Sequence, residues 1–432
     1  MLIRRLWSFL LLAAICGCAA LDAQTQRESK PGPAFAAAHQ PEHVWSTSDR
    51  GRLSASLAAD FSSAPVEGVS GVAVVGDDGR TVFELRGTRA MAPASTMKLF
   101  VGSTALFTLG DKRRLVTAFE SLQLPDGEGT VDDLWLVGGG DPVLTSDDLV
   151  RGIGMLRRAG VRAVRNLNVD ASKFGGPEQN PGWLRDDEQY DYAAGTSALS
   201  LDWDVLKTTV DGAQIYRPVT NIPAYVGNVT RDMMRRAGIE VDRVGAGAAP
   251  LAATTLWAHP SPTLDVLVRQ MFFESDNHIA EQLLRTLGAE SGLGTDSSGA
   301  RAERAFLAEL GVPAAGLRIL DGSGLAPGDR TTPLTLATLL TRLAALESGP
   351  RFIADLARAG IEGTVRYHQF TDAAGRVRAK SGHIDGVNAL AGYVQTRHHG
   401  RVAFSFIVNK PGLDDGAVER VYDLALDQLS EF

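Results

Sequence analysis

At 432 residues the chain is longer than one ordinary domain, and 44% apolar with 22% charged residues is the composition of a soluble globular protein. Its net charge of −8, about −10 once Arg4 and Arg5 of a leader are removed, is a poor footprint for a nucleic-acid binder. Both cysteines, Cys16 and Cys18, fall in that leader, which excludes disulfides, thiol catalysis and cysteine-held metal from the rest of the chain.

Residues 1–23 predict an export signal. Arg4 and Arg5 form a positive start, residues 6–15 are apolar but too short to span a bilayer, and small residues follow at Gly17, Ala19 and Ala20. Ile15-Cys16-Gly17-Cys18 also resembles a lipoprotein cleavage box with Cys18 as the lipid-bearing residue, so plain secretion and an outer-membrane lipid anchor both stay open. The expected location is periplasmic. Residues 24–47 lack apolar periodicity and predict a tether, with folded structure starting near Leu53.

Residues 69–76 are β-branched and apolar, Asp77-Asp78-Gly79 is a turn signal, and residues 81–86 resume a strand, which predicts a hairpin. Pro93 leads into a helix expected over 95–109. Residues 112–257 alternate short strands, such as Leu134-Trp135-Leu136-Val137, with glycine-rich turns. Helical spacing returns over 262–287, 300–310 and 333–347. Residues 389–395 and 402–409 read as strands joined at His398-His399-Gly400, and 414–429 as a closing amphipathic helix. The economical division is a discontinuous main domain, 48–111 and 258–432, with a smaller domain, 112–257, inserted in it.

Three short motifs carry chemistry. Ser95-Thr96-Met97-Lys98 is the one Ser-x-x-Lys in the chain, and at a helix start this spacing sets hydroxyl and amine one turn apart on one face. Serine needs an adjacent base, and a lysine serves when its pKa is lowered. Taken singly, the motif is equally an exposed serine and lysine. Ser275-Asp276-Asn277 is also ordinary helix-capping material, and Lys380-Ser381-Gly382 is also a basic residue and a glycine near a strand edge. In this order, at a helix start, before a helix and on a strand near the C-terminal end, the three together resemble the signature of penicillin-binding proteins and class A β-lactamases, with Ser381 standing where that signature has threonine.

The 180 positions between Ser95 and Ser275 leave room for a large insertion. In this the chain resembles the class C, low-molecular-mass penicillin-binding proteins, the D-alanyl-D-alanine carboxypeptidase/endopeptidase family. Gly138-Gly139-Gly140-Asp141-Pro142, Pro181-Gly182-Trp183, Asp321-Gly322-Ser323-Gly324-Leu325 and Gly360-Ile361-Glu362-Gly363-Thr364 are similar to further landmarks of that family. The resemblance implies an α/β (α+β) fold of the DD-peptidase/serine β-lactamase type, an antiparallel sheet flanked by helices with a smaller inserted domain. It implies a serine hydrolase acting on the D-alanyl peptide stems of peptidoglycan and acylated by β-lactams. Ser95 would be the nucleophile, Lys98 the base, Ser275 the proton relay, Asn277 the holder of Lys98, and Lys380 the charge that lowers the Lys98 pKa. Ser381, Gly382 and the backbone of His383 would bind substrate and oxyanion, and Asp141 an amino group of the substrate. A β-lactamase and a non-catalytic cell-wall binder are the competing readings; for the former, no glutamate motif for activating water is found. Cofactors and metals are not expected, since the eight histidines show no ligand spacing beyond the adjacent His398/His399 and the pair His39/His43, whose Pro41 argues against a helical ligand face.

Overall fold

The computed structural model describes residues 45–63, 65–210 and 213–432. The expected leader, Cys18 and nearly all of the tether lie outside them. The fold starts earlier than the sequence suggests. Trp45 is buried and stacks on His399 with ring centroids 4.2 Å apart, and Ser46 caps helix α1 (Thr47–Phe61) by accepting the Asp49 N–H. The helix buries Leu53, Leu57 and Phe61, one stripe at helical spacing.

The first sheet has six strands in the order β10-β11-β12-β13-β1-β2, every pair antiparallel. These are β1 (Ser70–Gly76), β2 (Thr81–Leu85), β10 (Ala357–Arg358), β11 (Val377–Ile384), β12 (Val387–Gln395) and β13 (Arg401–Asn409). Strands β1 and β12 are apolar without alternation because both faces are covered. On one face α1 and the closing helix α9 (Asp415–Glu431) bury Leu57, Phe61, Val418, Tyr422 and Leu426 against Phe404 and Phe406. On the other lies α8 (Pro333–Ala344), and behind it a helical core of α5 (Leu264–Glu274), α6 (Asn277–Ala289) and α7 (Asp296–Glu309). Each such apolar side chain removed from water contributes about 1.5–3 kcal/mol.

Residues 116–260 form the second, five-stranded sheet, order β8-β5-β4-β3-β9: β3 (Val116–Ser121), β4 (Thr130–Val137), β5 (Ala163–Asp170), β8 (Glu240–Ala246) and β9 (Thr254–Pro260). It differs from the expected texture of strands and turns. The β4–β5 and β5–β8 pairs are parallel, so their crossovers carry helices, α3 (Ser146–Arg158) and α4 (Ile222–Arg236). Leu149, Ile153 and Leu156 of α3 and Val226 of α4 are buried under the sheet, and Thr145 with Asp148 forms the capping box that starts α3. A small hairpin, β6 (Val205–Val210) with β7 (Ala213–Pro218), stands apart.

Candidate active site

The segment expected as one helix from Ser95 is a graded structure. A 3₁₀ turn over Ala94–Met97 opens into α2 (Lys98–Thr104) and ends in a π-helical turn, Ala105–Leu109. The turn is held tight by two glycines. A Cβ on Gly382 would sit 2.7 Å from the Pro93 carbonyl and 3.0 Å from the nitrogens of Ser95 and Thr96; one on Gly324 (φ +80°) would strike the Ala94 carbonyl at 2.0 Å. Strand β11 and the Asp321–Leu325 loop therefore press their bare backbones against the turn that carries Ser95.

Lys98 is fully buried. Its Nζ donates to Ser95 Oγ at 2.9 Å, Asn277 Oδ1 at 2.6 Å and the Ser323 carbonyl at 2.9 Å. Three donors thus meet three acceptors, which satisfies the ammonium. Burial nevertheless lowers its pKa to about 8, against the opposing pull of Asp321, Glu281 and Asp276. When the proton is lost, one contact must reverse. Asn277 Oδ1 and the Ser323 carbonyl can only accept, so Ser95 O–H is the group able to donate to the amine. A deprotonated Lys98 is aimed at the serine by its own neighbours.

The helical pattern over 262–287 is broken in two at Ser275, which sits at φ 61° and ends α5. Asp276 does the capping: Oδ1 accepts the Ile279 N–H at 2.9 Å and Oδ2 the Trp203 indole N–H at 3.0 Å. That leaves Ser275 and Asn277 to face the lysines, and Asn277 Nδ2 donates to the Tyr192 carbonyl at 2.8 Å. Lys380, on β11 and also buried, donates to Ser275 Oγ at 2.9 Å and to the Ser381 carbonyl at 2.7 Å. Burial first, and Lys98 second, push the Lys380 pKa well down. The depression of Lys98 itself comes from burial, with the repulsion between the two amines felt at Lys380.

Sequence reasoning assigned no role to several groups that complete the site. Glu281, one turn beyond Asn277 on α6, accepts the N–H groups of Gly322 at 3.1 Å and Ser323 at 2.9 Å, and so holds the Ser323 carbonyl that Lys98 binds. Asp321 accepts from Gly324, Ala326 and the Trp183 indole. The Asp-Gly-Ser-Gly-Leu and Pro-Gly-Trp landmarks therefore meet behind Lys98. Thr364 accepts a 2.7 Å bond from Ser381 Oγ. Arg330 donates to the Pro327 and Asp329 carbonyls.

Ser95, Ser275, Ser381, Gly382 and His383 line one cleft of about 440 Å³. Strand β10 pairs with β11 only at Arg378 and Ala379, so among the described residues the edge beyond Lys380 is paired by no strand, and it faces this cleft. The His383 ring is exposed and turns to Asp415, Nδ1 to Oδ1 3.4 Å. A second hollow, of about 600 Å³ and lined by Tyr192, Trp203, Lys207 and Tyr216, meets the first at Ser275. Asp141 lines neither. It is buried beside His259 of β9, Oδ2 to Nε2 3.8 Å, its Oδ1 accepts the Val143 N–H, and burial raises its pKa to about 7. Among the described residues no cluster of three or more His, Cys, Asp or Glu side chains could hold a metal ion.

A serine beside a buried amine, a second serine–lysine pair and an open strand edge define an acyl-transfer site of the serine peptidase class. Comparison with known proteins agrees. The profile of the D-Ala-D-Ala carboxypeptidase 3 (S13) family matches residues 53–215 and 210–431, and the chain belongs to that family. It is 31% identical over 442 residues to the D-alanyl-D-alanine carboxypeptidase of Actinomadura sp. (strain R39), covering 84% of this chain and 81% of the relative. Carboxypeptidase DacB of Mycolicibacterium smegmatis is 30% identical over 390 residues, 85% of this chain and 82% of the relative. The fold matches the crystal structure of penicillin binding protein 4 from Haemophilus influenzae with a TM-score of 0.80 at 21% identity, over 87% of this chain and 99% of that one.

Proposed function

We propose that this protein is a serine D-alanyl-D-alanine peptidase of peptidoglycan, working through an acyl-enzyme on Ser95 and covalently acylated by β-lactams. The observation that carries the reading is the contact set of Lys98, in which Ser95 is the single partner able to pass a proton to the amine. Ser95 Oγ attacks the D-alanyl carbonyl as its proton moves to Lys98. The tetrahedral oxyanion is met by the backbone N–H groups of Ser95 and His383, each such donor contributing about 10²–10³ in rate. Ser275, bonded to Lys380, passes a proton to the departing amine, and Ser381 takes the terminal carboxylate. Water then releases the acyl group and returns the proton to Ser95.

The family relatives support this reading. They include proteins named D-alanyl-D-alanine carboxypeptidases, and fold neighbours include a penicillin G-acylated endopeptidase of Bdellovibrio bacteriovorus. Labelled penicillin should give one covalent adduct per chain, lost together with D-alanine release in Ser95→Ala. An unmodified intact mass for the wild type would sink the assignment. The leader composition supports export to the periplasm, with Cys18 as a lipid attachment residue. Mass spectrometry of the mature N-terminus tests this: an unlipidated terminus rules out the anchor, and an uncleaved leader rules out export.

A further inference from the structure

Helix α6, which opens at Asn277, is held along one face by a segment of the 116–260 unit. The Thr196 carbonyl accepts from Arg285 Nη1 at 3.1 Å, the Ser197 carbonyl from Gln282 Nε2 at 2.9 Å, and Ser200 Oγ meets His278 Nε2 at 2.9 Å. His278, Gln282 and Arg285 recur at helical spacing, so the segment runs antiparallel along α6 toward its start. It reaches that start at Trp203, whose indole N–H donates to Asp276 Oδ2 at 3.0 Å.

The backbone at this point is strained. Asp202, Trp203 and Asp204 sit at φ 51°, 59° and 54°, three consecutive left-handed residues that all carry a Cβ. L-residues visit this region singly and at a cost, and such outliers persist only where their surroundings over-determine them. Here they do. Asp202 Oδ1 accepts the Ser146 N–H at 3.0 Å, and Oδ2 accepts the Ser146 hydroxyl at the start of α3. The Asp202 N–H donates to the Leu144 carbonyl at 2.9 Å, and buried Asp204 accepts the Leu201 N–H at 3.0 Å. The turn so braced presents its indole N–H to Asp276.

Asp276 has two tasks and one carboxylate. Oδ1 caps α6 through the Ile279 N–H, and Oδ2 takes the Trp203 N–H. Its chain neighbours are Ser275, at φ 61° and bonded to Lys380, and Asn277, bonded to Lys98. We propose that Trp203 is a positioning residue of the acyl-transfer site, acting through Asp276 to hold Ser275 against Lys380 and Asn277 against Lys98. This rests on the function proposed above. The effect on chemistry is indirect, so it belongs to turnover and not to substrate binding.

The test measures kcat and KM for D-alanine release from a D-alanyl-D-alanine peptide in wild type, Trp203→Phe, Asp276→Ser and the double variant. Work at pH 9 places all four on the plateau of the Lys98 limb, so the lost Asp276 charge does not enter. Trp203→Phe keeps a ring and removes the N–H; Asp276→Ser keeps one oxygen for the α6 cap and loses the other. Each single variant should lose about tenfold in kcat, the size of one hydrogen bond to a charged group, with KM little changed. Because both cut the same bond, the double variant should also lose about tenfold, where independent effects would multiply to about a hundredfold. Full kcat in folded Trp203→Phe overturns the role, as does a multiplied loss in the double variant. So does a loss confined to KM, which would make the ring a substrate-binding wall of the second hollow. Should Trp203→Phe not fold, Ser146→Ala decides, since Ser146 lines neither hollow and braces Asp202. A several-fold lower kcat at constant KM then supports the role, and an unchanged kcat overturns it. A wild type that releases no D-alanine and takes no penicillin adduct overturns the peptidase reading, and this role with it.

Discussion

The pKa of Lys98 makes a quantitative prediction about acylation. If the neutral amine is the base, the rate follows its neutral fraction, and a pKa of about 8 makes that fraction about 0.1 at pH 7 and about 0.9 at pH 9. The second-order rate constant for acylation by labelled penicillin should therefore rise about tenfold over this range and level off above it. An ordinary exposed lysine, near 10.4, would instead give a rise of about a hundredfold with no plateau before pH 10. Burial is the cause of the difference, so opening the site should move the limb to higher pH. Stopped-flow or gel-based acylation between pH 6 and 10, with Lys98→Ala as the control for background reaction, reads the limb directly. A rate flat from pH 6 to 9, or one climbing without curvature to pH 10, would refute the role given to Lys98.

Gly382→Ala should fold yet lose at least about 10²-fold in penicillin acylation, because its methyl must displace the Pro93–Thr96 turn that positions Ser95; circular dichroism and adduct formation check the two halves. Glu281→Ala leaves the buried N–H groups of Gly322 and Ser323 without their acceptor, at about 1–3 kcal/mol each, so Tm should fall and acylation with it as the Ser323 carbonyl leaves Lys98. Full-rate acylation in that variant would show that Lys98 does not depend on this support. Asp141 has a native pKa of about 7 against 3.8 for an ordinary carboxyl, so the folded state keeps a proton that the unfolded chain gives up between these values. Its contribution to stability is therefore lost as pH rises through the window, by at most about 4 kcal/mol. Asp141→Asn should accordingly melt higher than wild type at pH 8.5, with the advantage shrinking at pH 5.

The outer shell of this fold was legible because its signals are local. Apolar runs with a turn between them gave β1–β2, and the three motifs placed Ser95, Ser275 and Lys380 at a helix start, before a helix and on a strand. What stayed hidden depends on contacts between distant segments. The break at Ser275 lies inside an unbroken helical pattern, since Met271 and Phe272 before it and Ile279 and Ala280 after it all face the same core. The parallel strands β5 and β8 look like any short strands until the crossovers are seen, and the charged faces of α3 and α4 mask their apolar stripes. Glu281 gave no signal of its own, although its position four residues after Asn277 put it on the same face of α6. Asp141, singled out from an Asp-Pro turn, lies in neither cleft.

The register of the first sheet sets when the enzyme can exist at all. Ser70 of β1 lies opposite Val408 of β13, and β13 in turn carries β12 and β11, so the strand bearing Lys380 is attached to the β1–β2 hairpin only through a strand that follows it in the chain. Closing so long a loop is entropically costly and slow, and no shorter fragment can stand in for it. Ser95 emerges early in synthesis, but its partners Ser275 and Lys380 arrive late, and the sheet that aligns them closes last. A partly synthesised chain is therefore a peptidase without a site. The topology withholds hydrolytic activity until β13 has paired with β1 and β12.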